Sequence, residues 1–178
     1  LTVYETLAEV LRVHNVCPRR EIPARVAELL DTVGLPPSAA GRYPHAFSGG
    51  QRQRIGIARS LSVAPDLIVA DEAVSALDVS IQAQILELLA RLREKRGLSY
   101  LFISHDLGVV RYFCQRAAVM YLGRIVESGP VAALFDAPLH PYTRMLRQAS
   151  PVPDPVQARA TVQVTGEVPS PLAPPPGC

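Results

Sequence analysis

The chain has 178 residues, enough for one well-buried core or two small lobes, and its 48% hydrophobic and 19% charged residues exclude the disordered and collagen-like classes. A formal net charge of +2 without a basic run gives no argument for nucleic acid, and the longest apolar stretches are strand-sized, too short for a membrane span. Cys17, Cys114 and Cys178, odd in number and far apart, do not read as a disulfide framework and fit a reducing cytosol.

Leu1 already lies inside a helical pattern that continues through residues 2–13, and no signal-peptide pattern is present. The sequence is therefore expected to begin within a larger protein. Val3, Leu7, Val10 and Leu11 share one helix face; Ile22, Val26, Leu29, Leu30 and Val33 form a second stripe, which Gly34, Pro36 and Pro37 end. A small helical lobe is expected there. Residues 67–70 form a continuous apolar run closing on Asp71 and Glu72, and residues 100–103 form another closing on Ser104 and His105. Such runs suit strands covered on both faces, as in a parallel sheet. Between them Ile81, Ile85, Leu88, Leu89 and Leu92 recur at helical spacing and Gly97 stops the helix, which predicts a strand–helix–strand crossover.

Residues 117–122, Gly123 and residues 124–127, followed by Ser128 and Gly129 as a turn, predict a sheet edge or hairpin, and residues 131–135 a short helix. Beyond Ser150 proline is frequent and periodicity disappears, which predicts an extended tail.

In open parallel sheets ligands bind outside the carboxyl ends of the strands, and both predicted interior strands end in titratable groups. Asp71 and Glu72 follow a buried run, where an unpartnered carboxylate is costly; a hydrated Mg²⁺ suits Asp71 and an attacking water suits Glu72, although solvated acids capping a strand give the same pattern. His105 suits a hydrogen-bonding sensor of a phosphate oxygen, or a structural role. In FSGGQRQR, Ser48 and Gln51 have capping-box spacing. Gly49 and Gly50 are not needed for a cap; they let another group approach the first-turn N–H donors, and a helix N-terminus attracts anions, phosphate above all. Arg52 and Arg54 add charge or form a solvated face.

FSGGQRQR, LIVADEAVSALD and FISHD, in this order and at these spacings, resemble the ATP-binding subunit of an ABC transporter over residues 1 to about 135. By resemblance, FSGGQ is the signature motif, LIVADE the Walker B strand, Ser75 to Asp78 the D-loop and His105 the H-loop switch. The resemblance implies an α/β fold: the C-terminal portion of a P-loop NTPase, with a mostly parallel sheet and a helical signature subdomain. It implies a helical subdomain over residues 1–62, the second half of the ATPase core over 63–135 and a C-terminal extension, largely extended, over 136–178. It also implies an ATP sandwich in which two cassettes meet head to tail. Ser48, Gly49, Gly50, Gln51 and Asp78 then serve the nucleotide, Asp71 holds Mg²⁺ through water, Glu72 polarises the hydrolytic water, and His105 contacts the γ-phosphate.

GRIVESGP, HPYTRMLRQASP and GEVPSPLAPPPGC resemble the dipeptide and oligopeptide importer ATPases, although a proline-rich linker has a similar composition. The implied partners are a second ATPase subunit, identical or not, membrane permease subunits and, indirectly, a substrate-binding protein, at the cytoplasmic face of the membrane; no nucleic acid is implied. Some relatives carry further cysteines after the equivalent of Cys178 and build an iron–sulfur site, but one thiolate cannot supply the four ligands such a cluster usually takes.

Three features depart from the family. A P-loop needs G-x-x-x-x-G-K-[ST], yet the only lysine is Lys95, followed by Arg96. The glutamine loop is absent too, so the resemblance implies a carboxyl-terminal portion of a cassette without ATP turnover of its own. Ala73 stands where the family often has proline after the Walker B glutamate, which frees the backbone there. Two other functions remain open at this level: a non-transport ABC ATPase acting on DNA or ribosomes, and a catalytically dead signature lobe that only pairs with another cassette.

Overall fold

The computed structural model describes residues 1–149, which form two compact units, one comprising Leu1–Ser104 and the other beginning at His105. The Pro-rich tail and Cys178 lie outside the described residues.

In the first unit, helix α1 (Val3–Val13) starts at a complete capping box. The Glu5 N–H donates to Thr2 Oγ1 (3.2 Å) and the Thr2 N–H to the Glu5 carboxylate (2.7 Å), satisfying two donors that the helix leaves without intrahelical partners. It buries Val3, Leu7, Ala8 and Leu11 against helix α2 (Ile22–Thr32), which contributes Ile22, Val26, Leu29 and Leu30. The stop of α2 is a Schellman turn: the Gly34 N–H reaches the Asp31 carbonyl, the Leu35 N–H reaches the Leu30 carbonyl, and Gly34 takes φ 75°. Helix α3 (Gly49–Leu61) lays Ile55, Ile57, Ala58 and Leu61 into the same core.

Strand β1 (Leu67–Asp71) then leads through residues 72–78 to helix α4 (Val79–Arg96) and strand β2 (Ser99–Ile103). The strands pair in parallel, Leu67 opposite Ser99 through Asp71 opposite Ile103, which is the expected crossover. Helix α4 buries Ile85, Leu86, Leu88, Leu89 and Leu92 and ends at Gly97, whose φ of 66° is readily reached only without a Cβ.

The expectation that both sheet faces are covered fails. Ile68 and Ala70 are buried, but Leu67, Val69, Leu101 and Ile103 on the opposite face are each 45–59% exposed. An apolar run encodes a strand that prefers cover on both sides; what supplies that cover is not written in the run.

The second unit holds helix α5 (Leu107–Phe113), an antiparallel hairpin of β3 (Arg116–Tyr121) and β4 (Arg124–Pro130), helix α6 (Val131–Asp136) and helix α7 (Pro141–Ala149). The hairpin is as expected, but its turn is Leu122–Gly123, both at positive φ (47° and 75°), and Ser128 and Gly129 lie within β4 instead of forming a turn. Two successive positive-φ residues match the twist of the flanking strands, so they close the hairpin and β4 continues to Pro130. Helix α7 falls in the segment expected to be largely extended.

Candidate functional site

Three sequence motifs converge in the first unit on the starts of α3 and α4 and on the tip of β1. At α3 the predicted capping box is formed in full: the Gln51 N–H donates to Ser48 Oγ (3.3 Å) and the Ser48 N–H to Gln51 Oε1 (3.1 Å). The first-turn N–H groups of Gly49 and Gly50 lie beyond the helix's own bonding ladder, as in any α-helix. Gly50 itself is buried. A Cβ at Gly50 would overlap Ile81 Cγ2, and one at Gly49 would come within 3.3 Å of Leu77 Cδ2. Gly50 is thus required first by the chain's own packing against the start of α4, a reason that lies outside the local pattern, whereas a Cβ at Gly49 needs only a small shift of the Leu77 side-chain end.

Arg52 and Arg54 are also drawn into structure. Arg52 donates to the Phe47 carbonyl (3.1 Å), while Arg54 donates to the Val33 carbonyl at the end of α2 (2.7 Å) and to Gln84 Oε1 on α4 (3.3 Å). A guanidinium at a helix C-terminus complements its carbonyls and the negative end of its dipole.

Asp78 is the N-cap of α4. Its Oδ1 accepts from the Ile81 N–H (3.0 Å) and from the Ser80 hydroxyl (2.7 Å), and these bonds, the first above all, hold its carboxyl below the usual carboxylate range.

Asp71 closes β1 with an exposed side chain, and Glu72 follows it, equally exposed, in the left-handed region at φ 46°. That conformation costs a non-glycine residue energy, and three bonds hold it. The Glu72 N–H donates to the Ile103 carbonyl of β2 (2.9 Å), and the Ser75 N–H and hydroxyl both donate to the Glu72 carbonyl (3.2 and 3.0 Å). The Ser75 hydroxyl also lies 3.5 Å from Glu72 Oε2. The strand thus presents two carboxylates at its tip, the second on a re-aimed backbone. Sequence reasoning missed Ser75 as the support, although its place three residues after Glu72 is a turn signal.

His105 is exposed just beyond β2 and opens the second unit, where Asp106 caps α5 by accepting from the Gly108 and Val109 N–H groups (2.8 and 3.2 Å). The first unit sets Gly49 and Gly50, in the turn capped by Ser48 and Gln51, against Leu77 and Ile81 on either side of Asp78, and sets Asp71 at the end of the strand before it with Glu72 one residue beyond.

Two family models match the chain: ABC transporter over residues 1–75, and the oligopeptide/dipeptide transporter C-terminal region over residues 126–178. The chain belongs to the ABC transporter ATP-binding family. It is 54% identical to the peptide ABC transporter ATP-binding protein y4tS of Sinorhizobium fredii, over 100% of this chain and 50% of that protein. Against the oligopeptide transport ATP-binding protein AppF of Bacillus subtilis it is 53% identical, over 99% of this chain and 54% of that protein. Against the glutathione import ATP-binding protein GsiA of Pectobacterium atrosepticum it is 56% identical, over 97% of this chain and 28% of that protein. The chain therefore spans about half, or less, of the length of these relatives. Among solved structures it resembles a metal-chelate-type ABC transporter in an inward-facing conformation, with a TM-score of 0.68 and 26% identity, over 75% of this chain and 54% of that one. The mixed helix and strand architecture agrees with an α/β ABC cassette portion.

Proposed function

We propose that this chain carries the signature and Walker B half of the ATPase subunit of a peptide-class ABC importer. The observation that carries the reading is the Asp71–Glu72 pair at the tip of a parallel strand, with Glu72 held in the left-handed region by Ser75 and β2. Relatives named for peptide, oligopeptide and glutathione import support the substrate class, as does the family match over residues 126–178. They do not favour a DNA- or ribosome-directed ATPase.

The donor set fits a nucleotide and Mg²⁺. Exposed Asp71 suits a hydrated Mg²⁺, and Glu72 is an exposed carboxylate suited to orienting and polarising a water. The first turn of α3 offers backbone N–H groups to an anion, and Asp78 holds the neighbouring turn in place. The γ-phosphate of bound ATP supplies the bond that is broken; the protein contributes positioning and charge rather than a covalent intermediate. His105 contacts that phosphate in this reading. A second ATPase subunit supplies the phosphate-binding loop facing the signature turn, and permease subunits anchor the pair at the cytoplasmic face of the membrane. The subdomain division over residues 1–62, 63–135 and 136–178 belongs to the same proposal.

The 178 residues contain no P-loop, so the chain alone is expected to bind no ATP in the usual way and to turn none over. Magnesium-dependent ATP hydrolysis by the purified chain tests this: activity no greater than that of Glu72→Gln supports the reading. Turnover abolished by Glu72→Gln would overturn it.

A further inference from the structure

Three contacts run in order along the seam between α3 and α4. Gly49 faces Leu77 and Gly50 faces Ile81 Cγ2, and further along both helices Arg54 donates to Gln84 Oε1 at 3.3 Å. Because residue number rises together on both sides, the two helices run in the same sense and their N-termini lie at the same end of the seam. Ser48 caps one start and Asp78 the other.

Same-sense helices place like dipole ends side by side, an arrangement that costs energy unless packing holds it. The packing here is specific. Gly50 leaves a gap where any other residue has a Cβ, and the branched side chain of Ile81 fills that gap, three residues past the Asp78 cap. Ile81 is itself half-buried, and its Cγ2 is the atom nearest to where a Cβ on Gly50 would lie.

We propose that Ile81 is a positioning residue for nucleotide-dependent pairing: by filling the space over Gly50 it fixes the Ser48–Gln51 turn relative to the Asp78 turn, so that both meet a partner's nucleotide as one rigid surface. Leu77 does the same for Gly49 at closer range to the Glu72 loop. This rests on the reading of Ser48–Gln51 as a phosphate-facing turn. Ile81 touches no nucleotide in this scheme.

The test is Mg–ATP-dependent association of the chain with a complete peptide-importer ATP-binding subunit, measured by sedimentation beside the backbone amide NMR spectrum of each variant. Gly50→Ala places a Cβ against Ile81 and is expected to shift the amide resonances of residues 48–51 and to weaken association about tenfold, the scale of a modest overpacking penalty. Ile81→Ala empties the gap and is expected to weaken it similarly. In Gly50→Ala/Ile81→Ala the new methyl takes the vacated space, and association and amide positions are expected to recover. A merely structural role would lower the unfolding midpoint and leave the association of the still-folded single variants unchanged. Undiminished association in Ile81→Ala, or no recovery in the double variant, overturns the proposal. Failure of the unsubstituted chain to associate in an ATP-dependent way overturns the functional reading and the proposal with it.

Discussion

The carboxylate of Glu127 in β4 accepts hydrogen bonds from the backbone N–H groups of Leu139 (2.8 Å) and His140 (3.0 Å), tying the turn before α7 to the hairpin. The ring of Tyr142 at the start of α7 packs on Tyr121 of β3 with centroids 4.4 Å apart, and Arg144 closes the turn by donating to the Pro138 carbonyl (2.8 Å). One acidic side chain therefore anchors the turn that leads into α7, within the described part of the region that matches the oligopeptide/dipeptide transporter C-terminal model.

The Leu139 N–H above all, together with the His140 N–H, holds the Glu127 carboxyl below its ordinary 4.5. A carboxyl depressed by folding stabilises the native state above its unfolded value and loses that contribution as pH falls through its folded value. The attachment of residues 139–149 is thus expected to be complete at neutral pH and to loosen only in acid, below that ordinary value. Amide shifts of Leu139 and His140 followed down a pH titration check this; in Glu127→Gln they should already sit displaced at pH 7.

Thr2 and Ser48 cap α1 and α3 with the same reciprocal geometry. Thr2→Ala and Ser48→Ala are each expected to cost about 1 kcal/mol of stability in urea unfolding, the usual cost of a lost cap. Only Ser48→Ala is expected to weaken ATP-dependent pairing as well, because Thr2 lies outside the site.

Arg54 bonds the end of α2 and the flank of α4 at once. Arg54→Ala is expected to destabilise by about 1–3 kcal/mol, because the guanidinium's charge-assisted bonds are lost and the Val33 carbonyl is left without this donor. Arg54→Lys should recover little, since an ammonium lacks the planar fork that reaches both acceptors. Denaturant midpoints of the two variants decide the point.

The exposed face formed by Leu67, Val69, Leu101 and Ile103 is an apolar surface of the kind that binds dyes and promotes association. Val69→Thr with Leu101→Thr is expected to lower dye fluorescence and self-association at an unfolding midpoint within about 0.5 kcal/mol of the parent, as for surface changes generally.

Much of this was legible in the sequence because it is local. The stripes of α1, α2 and α4 repeat at helical spacing, Ser48 and Gln51 announce a capping box, and the runs before Asp71 and Ser104 announce strands. Thr2 and Glu5 carried the same capping signal and were overlooked. What escaped is non-local or rare. Ile81 opposite Gly50 depends on two helices meeting, and Arg54 reaches Val33 across a core that no short window contains. Gly123 marks the break between the two strand runs, but Leu122 at positive φ is an uncommon turn residue, and Ser128–Gly129, a conventional turn pair, continues β4 instead. Helix α7 follows Pro138 and begins at Pro141, and prolines so spaced usually mean a break.

The central claim is that the turn at Ser48–Gln51 completes a nucleotide site held by another subunit. Sedimentation of the chain mixed with a complete peptide-importer ATP-binding subunit, with and without Mg–ATP, tests it most directly when repeated with Gly49→Asp, which adds a negative charge to the first turn of α3, whose N–H groups would otherwise attract an anion. The account predicts a heterodimer that forms only with Mg–ATP and is lost in Gly49→Asp; association independent of ATP, or unaffected by Gly49→Asp, would contradict it.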